Sequence, residues 1–219
     1  MKRHTIKSYD KDLHHLELLV CKASKLLLEM FQLHSAALKE FHPEILKKIH
    51  EIDKQVNDID KEISECAILV LATRQPVAID LRHVISALRM SVVIERMGDI
   101  SKHIVNRRER IEVDIPKEFL DDIQRMNELV SDMLQKVTHA YKASDIKEAL
   151  DVMSLDLEID KIYSNLMNRT AQSKNSLSSN VNSLMQFTIS IKNIERLGDY
   201  IKKLARIVYY IVTGDKLGK

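Results

Sequence analysis

Ile94-Glu95-Arg96-Met97-Gly98-Asp99 returns one hundred positions later as Ile194-Glu195-Arg196-Leu197-Gly198-Asp199, and Lys102 and Ile104 continue the match to Lys202 and Leu204. A repeat of this length and offset divides a 219-residue chain into two related halves. One segment earlier a fainter echo pairs Asp53-Lys54-Gln55-Val56-Asn57 with Asp156-Leu157-Glu158-Ile159-Asp160, an offset of 103. The same stretch also admits an offset of 100, with Ile59-Asp60-Lys61 over Ile159-Asp160-Lys161. The first register is preferred because it keeps the acid-x-x-x-Asp/Asn spacing.

The residues around the repeat read as helix. Leu13, Leu16, Val20, Ala23, Leu27 and Met30 recur at helical spacing, as do Ile45, Ile49, Ile52, Val56, Ile59 and Ile63. Leu120, Ile123, Met126, Leu129, Met133 and Val137 do the same further on. Only 4 glycines and 3 prolines are present, where average usage would give about 15 and 11. Sheet folds consume these residues in turns, so their scarcity favours few, long helices. Pro43, Pro76 and Pro116 mark helix starts, where the missing N–H costs nothing. Asp145-Ile146-Lys147-Glu148 reads as a capping box, the polar run 172–182 as a loop or frayed end, and Gly214 as a C-terminal cap. The expectation is an all-α chain of six long helices. The repeat makes it two related halves of three helices, joined around 111–115.

The repeated motif carries candidate chemistry. Glu95 and Asp99 are four apart, so they share a helix face, as do Glu195 and Asp199. Like charges at this spacing cost about 0.2–0.5 kcal/mol, and a mid-helix glycine about 1 kcal/mol against alanine. Two of the four glycines stand beside these acid pairs, where a glycine permits close approach of another group. Paired carboxylates facing a neighbouring helix suit hard cations bound through oxygen. Ion pairing offers a plainer account: Asp99 with Lys102 or His103, and Asp199 with Lys202 or Lys203. His103 continues the acidic stripe, but its counterpart is Lys203.

Composition narrows the function classes. Lys+Arg 34 against Asp+Glu 32 leaves +2, too little for a global nucleic-acid field, and Trp is absent. No apolar run is long enough to span a bilayer, and none follows the basic N-terminus as a signal peptide requires. Cys21 and Cys66 form no CxxC motif and read as reduced thiols of a cytoplasmic protein. Di-iron oxidases use Glu-x-x-His on two helices, and no Glu of this chain has His three positions on.

At these residues the sequence resembles the PhoU family, regulators of bacterial phosphate uptake and phosphate signalling. The likeness spans nearly the whole chain. It is carried by His4, Tyr9-Asp10 and Leu13, by Arg74-Gln75-Pro76-Val77-Ala78-Ile79-Asp80-Leu81-Arg82, by both ERxGD units and by the closing stretch 207–214. The resemblance implies two pseudo-symmetric three-helix bundles in tandem, 1–111 and 115–219. It also implies metal at the acidic motifs: a divalent or trivalent ion, often multinuclear iron, with Zn, Mn, Mg and Ca left open. Glu95, Asp99, Glu195 and Asp199 are the main ligands it implies, with Asp53, Asn57, Asp80, Asp156 and Asp160 secondary. Asn57 stands where the family often has Asp, and the second half lacks the PVAxDLR-like stretch, having 177–181 in its place. The resemblance also implies a non-catalytic homodimer in the cytoplasm, peripheral to the inner face of the membrane and without nucleic-acid partners. It would restrain a phosphate ABC transporter through its ATPase subunit and hold a phosphate-sensing histidine kinase inhibited. A metal-free helical adaptor is the alternative.

Overall fold

A computed structural model describes residues 7–217; His4 of the family-like opening lies outside the described residues. The order is α1 (Lys7–Lys39), α2 (Pro43–Arg74), α3 (Ala78–Arg108), α4 (Lys117–Ala143), α5 (Ile146–Gln172), α6 (Ser176–Ser179) and α7 (Val181–Thr213). No strand occurs among the described residues. Six of these helices are long and α6 is a single turn.

The helix ends follow local chemistry. Pro43 opens α2, but α4 starts one residue after Pro116 and α3 starts two after Pro76. Pro76 has no N–H with which to continue α2, and the chain breaks there with Gln75 and Ala78 at φ of 49° and 48°. The capping box at Asp145 is half formed. Its carboxylate accepts from the Glu148 N–H at 3.1 Å, but Glu148 turns its own carboxylate to His139. The full box forms at α6, where Asn175 and Ser178 exchange side-chain and backbone bonds. This turns part of the expected loop into a helical turn. Gly214 caps α7 at φ 81°.

Burial explains why these helices persist, since isolated helices are marginal in water. In α4 the buried set Ile123, Met126, Val130, Met133, Leu134 and Val137 lines one side. Each such side chain contributes about 1.5–3 kcal/mol on burial. α1, α2 and α3 pack on one another, as do α4, α5 and α7. These are the two bundles that the repeat foretells. α3 also lies along α7, and α1 along α4, while α2 and α5 take the outer flanks. One hydrophobic cluster therefore runs through both halves.

The α3–α7 seam is antiparallel. Arg82 Nε donates to the Ile211 carbonyl at 3.1 Å near one end, and Arg107 Nη1 donates to Gln186 Oε1 at 2.9 Å near the other. This register sets the Met97 turn beside the Leu197 turn, so repeat-equivalent residues face each other, as a local twofold requires. At the α2–α3 end the halves differ. α2 runs five residues further past Asp53 than α5 runs past Asp156, about 7 Å of extra helix. There the first half turns in three residues, 75–77, whereas the second uses 173–180 with α6 inside it.

Candidate functional site at the repeated acidic motifs

Each ERxGD unit faces an aspartate of the preceding long helix of its own half. Asp53 on α2 and Asp156 on α5 are 7% and 3% exposed. A Cβ built on Gly98 would lie 3.6 Å from Asp53 Oδ1, which is ordinary contact. A Cβ on Gly198 would lie 2.9 Å from Asp156 Oδ1 and 3.3 Å from Ile159 Cδ1, which is too close. Gly198 is thus required by the approach of the carboxylate, whereas Gly98 has room for a methyl group.

Between the carboxylates stands an ammonium. Lys102 Nζ donates to Asp53 Oδ2 at 2.6 Å and to Asp99 Oδ1 at 2.7 Å. Lys202 Nζ stands 2.5 Å from Asp156 Oδ2 and 2.8 Å from Asp199 Oδ1. The two halves build the same triad, and the offset of 103 is the register that pairs Asp53 with Asp156. Burial pulls the Lys102 pKa down, but the bonds to Asp53 and Asp99 outweigh it and the net shift is upward; Lys202 behaves alike with Asp156 and Asp199.

The acids outside the triads differ between halves. Glu95 is raised above the usual carboxylate range by burial, then by the nearby charges of Asp99, Asp60 and Asp53. Asp60 lies two turns on from Asp53 along α2, and its Oδ1 is buried with no hydrogen-bond partner. Asn57, between them, is half-buried and neutral. In the second half Asp160 takes the Asn57 place and Tyr163 takes that of Asp60. Asp156 is raised by burial against the lowering effect of Lys202, with Asp160 and Asp199 adding to the rise. Glu195 meets Lys192 at 2.6 Å, and Lys192 lies 5.0 Å from the Tyr163 ring centre.

Asp80 stands apart. It is buried in the first turn of α3, about four turns from Glu95, and lies beside the Tyr9 hydroxyl. Burial and then the Asp80 charge push the Tyr9 hydroxyl up to about 12. His103 is exposed, and both cysteines are free and half-buried.

These residues fit a hard cation in donor chemistry, being carboxylate oxygens throughout, with one buried oxygen of Asp60 unbonded. As they stand, no three His, Cys, Asp or Glu side chains among the described residues gather as a metal site would gather them. The place between the aspartates holds a lysine, and a metal there would displace it. Asp53, Asp60, Glu95 and Asp99 would supply the ligands in the first half. Asp156, Asp160, Glu195 and Asp199 would supply them in the second.

Along the sequence Lys102 and Lys202 stand only as partners of the aspartates three residues earlier on the same helix. Their reach across to Asp53 and Asp156 was not legible. Asp60 entered only as an alternative register. The signal that would have found it is its seven-residue spacing from Asp53 on one face.

A tandem acidic-motif bundle of this kind defines a class, and comparison with known proteins gives its family. The sequence profile described as PhoU domain matches residues 20–107 and 123–208. The chain belongs to the PhoU family. It is 32% identical over 214 residues to the "phosphate-specific transport system accessory protein PhoU homolog" of Zymomonas mobilis subsp. mobilis, covering 98% of this chain and 90% of that one. It is 31% identical over 218 residues to the homolog of that name from Caulobacter vibrioides, covering 99% and 95%. The crystal structure of the phosphate transport system regulatory protein PhoU from Streptococcus pneumoniae superposes with a TM-score of 0.86. That structure is 25% identical and is matched over 96% of this chain and 100% of its own. Among the described residues no helix is long and apolar enough to cross a membrane.

Proposed function

We propose that this chain is a non-catalytic, metal-binding regulator of phosphate homeostasis. Family membership makes it an accessory, regulatory protein of phosphate transport. The finer reading is that it restrains the high-affinity phosphate ABC transporter through the ATPase subunit. By the same reading it holds the phosphate-sensing histidine kinase in its inhibitory state, acting by contact as a cytoplasmic homodimer against the membrane complex.

The observation that carries the metal reading is the duplicated carboxylate set with a single ammonium in each copy. Asp53 and Asp99 present two charges to the one positive charge of Lys102, and Glu95 and Asp60 crowd beside them. A bound divalent or trivalent ion supplies more positive charge in the same place and relieves the crowding. The chain's own part is to hold the oxygens ready, to keep Gly198 clear for Asp156, and to let each lysine withdraw along its flexible stem. Ligation needs deprotonated carboxylates, so metal content falls in acid.

Metal analysis of protein purified without chelator tests this. Asp99→Asn lowers metal content in the first half and Asp199→Asn in the second. Unchanged content in both variants overturns the metal reading. The lysine bridges favour a second reading, a metal-free helical adaptor in which the triads only fasten helices; a wild type that takes up no iron, manganese, zinc, magnesium or calcium supports it. For the regulatory role, a deletion strain leaves phosphate-starvation genes active in phosphate-rich medium, and normal repression there refutes it.

A further inference from the structure

Several exposed cations of this chain have an acid nearby: Lys48 meets Glu29 at 2.8 Å, Arg125 meets Glu158 at 2.8 Å, and Arg169 bonds Asp122. On the outer face of the α3–α7 seam, cations without such a partner lie close together. Arg89 and Arg96 on α3, and Arg196, Lys203 and Arg206 on α7, are all exposed. Among the described residues none of the five has a carboxylate within ion-pair reach. A chain with a net charge of only +2 thus collects five unpaired positive charges along one seam.

Between the cations runs a groove of about 610 Å³. Its floor is Leu88, Val92, Val93 and Ile207, and Arg89, Lys203 and Arg206 form the rim. Val92 is 47% exposed. The rim is steadied by aromatic rings: Lys203 Nζ lies 4.1 Å from the Tyr200 ring centre, and the Arg89 guanidinium 6.0 Å from that of Tyr210. Further along the seam Arg96 and Arg196 lie beside the Tyr200 hydroxyl. Burial raises that hydroxyl's pKa, the two arginines and Lys203 lower it, and the net shift is downward.

The chemistry of the seam selects its occupant. A second copy of the same face would set five positive charges against five. A flat anionic surface meets the rim but not Val93, which is half-buried in the groove. A helix with an apolar stripe and acidic flanks meets both: its apolar residues fill the floor, and its carboxylates reach the rows of cations on either side. From Arg196 to Arg206 the seam is about 15 Å long, near three turns of such a helix.

We propose that the α3–α7 seam is a docking groove for an acidic amphipathic helix of a partner protein. It rests on the contact reading above, and it gives that contact a place and a chemistry.

The test uses the full chain and a fluorescein-labelled synthetic helix of roughly four turns, with leucines on one face and glutamates on its flanks, read by anisotropy. A peptide of the same composition in scrambled order is the control. The amphipathic peptide binds at least tenfold more tightly than the scrambled one. Arg89→Glu/Lys203→Glu/Arg206→Glu together weaken it at least tenfold, and Val92→Asp alone does so as well. Equal binding of the scrambled peptide, or no effect of Val92→Asp, overturns the proposal in favour of diffuse attraction. So does seam-dependent binding of phosphatidylglycerol vesicles without binding of the peptide. All four positions border solvent, and circular dichroism of each variant verifies its helices; Val92→Ser serves if Val92→Asp unfolds. In parallel, purified transporter ATPase subunit and histidine kinase are mixed with wild type and variants. Retention by wild type and variants alike sinks the seam and leaves the contact reading standing. Retention of neither by wild type sinks the contact reading, and the peptide then decides the seam by itself.

Discussion

The imidazole Nε2 of His34 donates to Asn127 Oδ1 at 2.7 Å across the boundary between the halves, joining α1 to α4. His34 is fully buried and Asn127 is 4% exposed. Burial drives the His34 pKa down to about 4, against the upward pull of the Asn127 bond. The unfolded chain therefore takes up a proton at pH values where the folded one does not. The stability due to neutral His34 is complete above about pH 6.5 and is lost as pH falls through 4, at most about 3 kcal/mol. His34→Gln keeps an amide for Asn127 and does not titrate. Its stability changes less between pH 6.5 and 4 than that of wild type, and chemical denaturation at a series of pH values measures the difference. Parallel curves for the two proteins would contradict it.

Lys102→Met leaves Asp53 and Asp99 facing each other without their counter-charge. The loss at neutral pH is about 2 kcal/mol, below the range for a fully buried pair because Asp99 is 44% exposed. The raised Lys102 pKa places this contribution below pH 10.5, and it is lost as pH rises through the folded value. In acid the loss shrinks as the aspartates protonate. If a metal competes with the ammonium, the same variant binds manganese more tightly than wild type, which titration calorimetry reads separately from stability.

The glycines part company on substitution. Gly98→Ala places a methyl group at ordinary contact distance and relieves a helix-interior glycine, so it is neutral or stabilising by about 1 kcal/mol. Gly198→Ala drives a methyl group into Asp156, which Lys202 holds in place, and overpacking outweighs the helical gain by about 1 kcal/mol. Thermal midpoints of the two variants should move apart; equal shifts would show that the two turns are alike.

Asp60→Asn removes one of the charges crowding Glu95. The Glu95 pKa then moves down toward the ordinary carboxylate range, visible in a carboxyl-carbon NMR titration. Asp160→Asn, in the other half, leaves Glu95 where it was.

Much of this was legible along the chain because it depends on residues close together in sequence. Helix periodicity, the start at Pro43, the stop at Gly214 and the duplication of ERxGD are all local. The Asp53–Asp156 register was legible too, since the acid-x-x-x-Asp/Asn spacing survives in both halves. What the chain alone does not reveal is azimuth between helices. Lys102 can be seen three residues from Asp99, but that it also meets Asp53 depends on how α2 packs on α3. Likewise Gly98 and Gly198 are identical letters, and only the distance to the facing aspartate separates them. At α6 the Asn175–Ser178 box was hidden inside a serine- and asparagine-rich run that reads equally well as loop.

The overhang of α2 has a consequence for how the molecule is gripped. Two identical halves would look the same after half a turn, and a single partner would find two interchangeable ways to bind. The extra length past Asp53, ending in the tight break at 75–77, removes that degeneracy. The protein acquires a head and a tail, so an assembly built on it can have one orientation and one copy of each partner despite its duplicated frame.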